Sequence, residues 1–205
     1  MKKAFPINLI VGLFIVICYV TCTTLAFIRF PLPYSPFNNW LSDLGNPDVN
    51  PTGAGFYNAG IVLAGLALMF FFLRLTKWRI TGNRIQRIMT LLTTWFGCVG
   101  SLAMIMTAIH AINQPSQHSF WSMILYISFG TAFAFSAAAM RYYRHYPQWL
   151  FIFGVIVTAV DMVAQIFFTD VPISEWFVVP LLLGYCLLLA TGTERLTHTY
   201  LANEK

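Results

Sequence analysis

Charge is what this sequence has least of. Only 9% of its 205 residues are Asp, Glu, Lys or Arg, while 58% are hydrophobic. A soluble domain carries about 25% charged residues, so a fully water-facing surface is excluded. Cysteine is also scarce, and the four thiols (Cys18, Cys22, Cys98 and Cys186) all fall inside apolar runs. Thiols placed there behave as small apolar groups and define no disulfide framework, metal motif or redox pair. No internal repeat, low-complexity tract or separate soluble domain is evident, so residues 1–205 read as one unit.

What fills the chain instead is six apolar runs: Asn8 to Phe30, Gly55 to Leu75, Ile88 to Ile112, Phe120 to Met140, Trp149 to Phe168 and Trp176 to Thr193. Each is near the roughly 20 residues that a helix needs to cross a bilayer. Helices are expected, because an open strand would leave backbone groups unsatisfied in lipid. Pro6, Pro31, Pro115, Pro147 and Pro172 fall at or beyond run ends, and Pro180 just inside the sixth run, within about its first turn. A missing helical N–H costs little in those places. The fold class expected is an all-α, six-helix transmembrane bundle.

The few charges sort by connection. Lys2, Lys3, Arg74, Lys77, Arg79, Arg84, Arg87, Arg141, Arg144, Arg195 and Lys205 fall in alternate connections and the two tails. The other connections hold Asp43, Asp48, Asp170 and Glu175, with Arg29 the lone base. The positive-inside bias therefore points the same way at every crossing. It predicts a multi-pass protein of a prokaryotic plasma membrane with both termini cytoplasmic. Lys2-Lys3 before an apolar run has the look of a signal peptide, but the run is too long for a typical signal core, so the first span is read as retained. The net charge of +5 fits loops facing anionic lipid headgroups and not a nucleic-acid partner. Membrane lipids are the partners expected, and nothing in the sequence fixes an oligomeric state.

One connection is unlike the rest. Residues 31–54, PLPYSPFNNWLSDLGNPDVNPTGA, form a long extracytoplasmic loop too rich in proline, glycine and asparagine for a long helix. Loops of this length are uncommon and often functional. The stretch Asn39 to Leu44 suits one short turn ended by Gly45. Trp40, Leu41 and Leu44 would face membrane or bundle, Ser42 and Asp43 would face inward, and the segment would cap the outer mouth.

Polar residues collect at that same end. Asp161 is the sharpest of them, lying within the fifth run at about 12 Å below the outer surface. A carboxylate there costs several kcal/mol unless paired, hydrated or protonated, and so marks a candidate site. Gln165, one turn on, is placed to hydrogen-bond it. His110 and His118 flank the tight turn AINQPSQ. With Asp43 or Asp161 they are candidate ligands for a zinc ion. Alternatively, His110 is a general base, Ser42 a nucleophile and Asp43 or Asp161 the orienting partner. Arg29, Asn58 and Gln165 are candidate substrate-binding groups, with Arg29 able to hold a lipid phosphate or pin the cap through Asp43 or Asp48.

The run NNWLSDLGNP followed by FYNAGIVLAGL resembles the S-[DE]-L-G and F-N-x-G signature of the domain-of-unknown-function 998 family of prokaryotic membrane proteins. A histidine near the start of the fourth span (His118) and the ending Gly192 to Arg195 are similar as well. The likeness runs over essentially the whole chain and extends, more distantly, to the Frag/DRAM/Sfk group of six-span proteins, some tied to lipid remodelling. It implies a fold and a signature set, Ser42, Asp43, Gly45, Asn58 and His118, more firmly than an activity. The S-x-x-x-H and H-x-x-x-H pairs of the seven-span zinc-dependent lipid hydrolases are not present.

The function expected is an outward-facing polar pocket that binds or remodels a lipid headgroup. The alternatives are a structural or accessory membrane subunit and a small proton-coupled transporter. The transporter is the least supported, since few polar groups reach the cytoplasmic half and no broken helix is evident.

Overall fold

The computed structural model describes residues 6–31, 33–78, 83–142 and 148–203, and the side chains of all of these except 78 and 194–203. Lys2, Lys3, Arg79, Arg144, His145, Pro147 and Lys205 lie outside the described residues. Six long helices form: α1 (Ile7–Ile28), α2 (Ala54–Leu75), α3 (Arg84–Ile109), α4 (Pro115–Met140), α5 (Gln148–Phe167) and α6 (Ile173–Asn203). No strand occurs among the described residues. All six are long and apolar enough to cross a membrane. Their outer faces carry Ile10, Phe14, Ile17, Leu66, Phe70, Trp95, Ile152, Ile166 and Phe177 in the open. So much exposed apolar surface is tenable in lipid and not in water. The chain is a polytopic membrane protein.

Three helix starts move outward from the apolar runs. Asn83 caps α3, its Oδ1 accepting from Ile85 N at 2.9 Å and Gln86 N at 3.2 Å, so the helix begins four residues before Ile88. Pro115 stands at the first position of α4, where the missing N–H is harmless. Helix α6 starts at Ile173, three residues before Trp176. Pro180 consequently lies inside α6, beyond its first turn and deeper than the sequence reading put it.

Consecutive helices pack against one another, and α6 returns to α1. Helices α4 and α6 also meet directly, with Phe133 and Tyr185 rings 5.0 Å apart and the Ser136 hydroxyl 3.1 Å from the Tyr185 hydroxyl. Helix α5 therefore packs outside that contact. Two glycines mark the closest approaches: a Cβ on Gly97 would enter the Phe72 ring, and one on Gly60 would strike the Cys22 side chain.

The end of the bundle bearing Arg74, Arg84 and Arg141 is closed. Phe71, Phe72, Leu75, Met140 and Leu189 are almost fully buried. Arg74 Nε donates to Asn8 Oδ1 at 2.8 Å, and Asn8 Nδ2 to Thr193 Oγ1 at 3.2 Å, joining α2, α1 and α6. Thr94 Oγ1 donates to Phe72 O at 3.2 Å, and Gln86 Nε2 to Thr90 Oγ1 at 3.1 Å. This end thus holds more polar groups than its apolar runs suggest, engaged in bonds between helices and, for Gln86 and Thr90, within α3.

Candidate functional site

The opposite end is covered by the long connection. Within it, Leu41–Gly45 forms a single 3₁₀ turn. Asp43 Oδ2 accepts the Trp40 N–H at 2.9 Å, holding the start of that turn. Leu41 and Leu44 are buried, as expected of a turn laid on a bundle. The turn is bonded to three helices. Asn58 Nδ2 of α2 donates to Gly45 O at 2.9 Å. Buried Asn50 donates to Leu44 O at 2.8 Å and to Ala26 O of α1 at 3.2 Å. Ser42 gives its N–H and its hydroxyl to Glu175 Oε2 of α6, at 3.2 and 3.3 Å. At Gly45 a Cβ would meet the Asn58 side chain and, at 2.7 Å, Tyr57 Cδ1, so the close approach of the turn to α2 requires glycine.

Beneath this cap lies a cavity of about 90 Å³. Space of that size holds several waters, or a slender group smaller than the benzene that fills a 150 Å³ cavity. Its mouth is lined by Ser42, Asn58, His118 and Glu175, with the rings of Tyr19, Tyr57 and Tyr126. Its depth is lined by Leu68, Met104, Phe129, Phe133, Leu182 and Cys186. From Tyr57 to Leu68 along α2 the drop is about 16 Å. Helices α1, α2, α3, α4 and α6 contribute; α5 contributes nothing.

The expected site residues divide. Ser42, Asn58 and His118 line the cavity. Asp43 does not: its carboxylate turns back onto Trp40 N–H, so the expectation that it faces inward beside Ser42 is corrected. Burial pushes the Asp43 carboxyl above its ordinary value, outweighing the bond from Trp40 N–H, which pulls it down.

His110 and His118 are brought together through the backbone of one and the ring of the other. His118 Nδ1 lies 2.9 Å from His110 O and 3.3 Å from Thr107 O, capping the end of α3. His110 Nδ1 instead meets Gln114 Oε1 at 3.0 Å, and His110 is not among the cavity-lining residues. No hydrogen bond joins Ser42 to either ring.

Asp161 is fully buried, and neither carboxyl oxygen has a hydrogen-bond partner among the described residues. It faces α4 where Gly130 leaves room, since a Cβ there would strike Asp161 Oδ2. The bond from Gln165 that the sequence suggested is not made. Because α5 packs outside, Asp161 stands behind the cavity wall. His110, His118 and Asp161 therefore do not converge, and no three His, Cys, Asp or Glu side chains gather for a metal among the described residues. Arg29 pairs with neither Asp43 nor Asp48; its guanidinium donates to Leu25 O at 3.1 Å and lies 4.4 Å above the Phe56 ring.

Glu175 is the residue that the sequence reading left among the loop acids. Its signal is a spacing: Glu175, Val179, Leu182 and Cys186 recur along one helical stripe, and all four line the cavity. Tyr126 belongs to a similar stripe on α4, His118, Ser122, Tyr126, Phe129 and Phe133.

What the fold and cavity define is a six-span membrane protein with a capped internal cavity. Compared with protein families, curated proteins and solved structures, the chain matches none of them.

Proposed function

We propose that this protein binds a membrane amphiphile, with its polar head under the cap and one apolar chain that enters the bundle by displacing the side chains below, since the 90 Å³ cavity by itself holds only a small group. The observation that carries this reading is the polarity gradient of the capped cavity, from Ser42, Asn58, His118 and Glu175 at the mouth to Leu68, Phe133 and Cys186 at the floor. A water-filled channel would need polar walls throughout. An amphiphile needs this division, with apolar burial supplying affinity and a few polar groups fixing orientation.

The basic residues support a cap that faces away from the cytoplasm. Among the described residues, Arg74, Lys77, Arg84, Arg87 and Arg141 lie at helix ends opposite the cap, and Arg29 alone lies near it. In a prokaryotic plasma membrane the cavity would then open toward the outer leaflet. The same reading gives the family resemblance a physical content. Ser42, Asn58 and His118 line the cavity, while Asp43 and Gly45 shape the turn above it. Binding, in place of hydrolysis, is favoured because the Ser42 hydroxyl is bonded to a carboxylate and not to an imidazole.

Native mass spectrometry of the protein released from neutral maltoside micelles tests this reading. A co-purifying amphiphile at about one per chain is expected in wild type and should be lost when Leu182→Trp fills the cavity floor. No bound amphiphile in wild type, across several extraction detergents, would overturn it.

A further inference from the structure

The mouth of the cavity is built from electron-rich groups. Glu175 is the one acidic side chain among its lining residues, and neither Lys nor Arg is present. The Ser42 bonds occupy one Glu175 oxygen, Oε2, and a carboxylate has acceptor sites to spare. The rings of Tyr19, Tyr57 and Tyr126 line the cavity with it. Tyr19 and Tyr57 meet edge to face at 6.5 Å. His118 turns Nδ1 to the carbonyls of His110 and Thr107, so that nitrogen is spent on the end of α3. Asn58 gives one Nδ2 hydrogen to Gly45 O, and its Oδ1 lies against Gly45.

An anionic head finds little here. Phosphate and carboxylate are recognised by Arg, Lys or clustered N–H donors. The one base near the cap, Arg29, is outside the cavity and over Phe56. Aromatic faces with a carboxylate among them are instead the chemistry that holds an ammonium, above all one whose methyl groups suit the rings.

We propose that the head taken by this cavity is an ammonium group, with Glu175 as its counter-ion and Tyr19, Tyr57 and Tyr126 as its aromatic walls. The inference rests on the amphiphile-binding reading and names its ligand class. Two sources share that chemistry: a lipophilic amine, and the ammonium end of a zwitterionic lipid.

The test uses the full chain in maltoside micelles and probes with the same octyl chain: octyltrimethylammonium, octyl phosphate and octanol. Binding is read by tyrosine and tryptophan fluorescence and by the shift in melting temperature. Octyltrimethylammonium should bind at least about tenfold more tightly than octyl phosphate. Glu175→Gln should remove at least about tenfold of that preference, read as the ratio of octyltrimethylammonium to octanol affinity within the same variant. Because Glu175→Gln also touches the cap bond, Tyr126→Leu and Tyr126→Phe provide a second arm: the leucine variant should lose the preference and the phenylalanine variant should keep it. Equal binding of all three probes, unaltered by either substitution, overturns the ammonium head but leaves the amphiphile-binding reading standing. Failure of every probe to bind, octanol included, sinks both. Lysophosphatidylcholine then separates the sources: competition as strong as that of octyltrimethylammonium assigns a lipid headgroup, and weaker competition assigns a free amine.

Discussion

Ser42 presents its backbone N–H, at 3.2 Å, and its hydroxyl, at 3.3 Å, to the same oxygen of Glu175, 133 residues further along the chain. This pair of bonds ties the cap to the first turn of α6, while the Asn58 bond to Gly45 ties it to α2.

Breaking the tie should loosen the cap without unfolding the bundle. Ser42→Ala removes one of the two bonds and is expected to cost about 1 kcal/mol; Glu175→Ala also strands a buried N–H and should cost about 1–3 kcal/mol. In the double variant the serine change should add little, because its partner is already gone. Thermal melting in micelles and the rate of proteolytic cutting within the cap measure both effects.

Asn50 is a third anchor of the cap, fully buried, with its amide nitrogen shared between Ala26 O and Leu44 O. Asn50→Ala should cost about 2 kcal/mol by orphaning two buried carbonyls. Asn50→Asp should be worse, because it turns acceptors toward those same carbonyls. Hydrogen exchange at the 3₁₀ turn should rise in both variants, more in the aspartate.

Gly97 faces the Phe72 ring with no space for a methyl group. Gly97→Ala should destabilise the protein by about 1–3 kcal/mol through overpacking. Adding Phe72→Leu should recover part of the loss, read as melting temperature. An unchanged melting temperature in the single variant would contradict the packing described.

The raised Asp43 carboxyl gives a pH signature. A carboxyl whose folded value lies above its unfolded value, about 3.9, supports the fold most below that value and loses the contribution as pH rises through the folded one. The stability of wild type relative to Asp43→Asn should therefore fall as pH rises above about 4. Melting curves of the two proteins across pH 4 to about 7 check the sign; a difference that grows with pH would contradict it.

Asp161→Asn should leave amphiphile binding within about twofold of wild type, because the side chain stands behind the wall and is not among the lining residues. Lost binding in a well-folded Asp161→Asn protein would place this carboxyl in the site after all.

Most of the architecture was legible in the sequence, because bilayer thickness and backbone satisfaction leave few alternatives for six apolar runs. The site was only partly legible. Ser42 and Asp43 are neighbours, yet a 3₁₀ turn has three residues per turn and sends them in different directions. Ser42 reaches α6 while Asp43 caps its own turn. The depth of Asp161 could be counted along its run, but its direction depended on α5 packing outside the contact between α4 and α6, which no local pattern encodes. His118 was expected beside His110, and it is, but through a backbone carbonyl that residue identity does not advertise. Glu175 was missed because a first-turn acid ordinarily reads as a solvated helix start; the stripe continuing to Cys186 was the available clue.

The most direct measurement is an experimental structure of the protein in a lipid bilayer at a resolution that shows bound chains. Continuous, tapering density from the ring of Tyr19, Tyr57 and Tyr126 down to Phe133 and Cys186 is the result predicted. A cavity filled by repacked side chains, or holding isolated waters alone, would contradict the account.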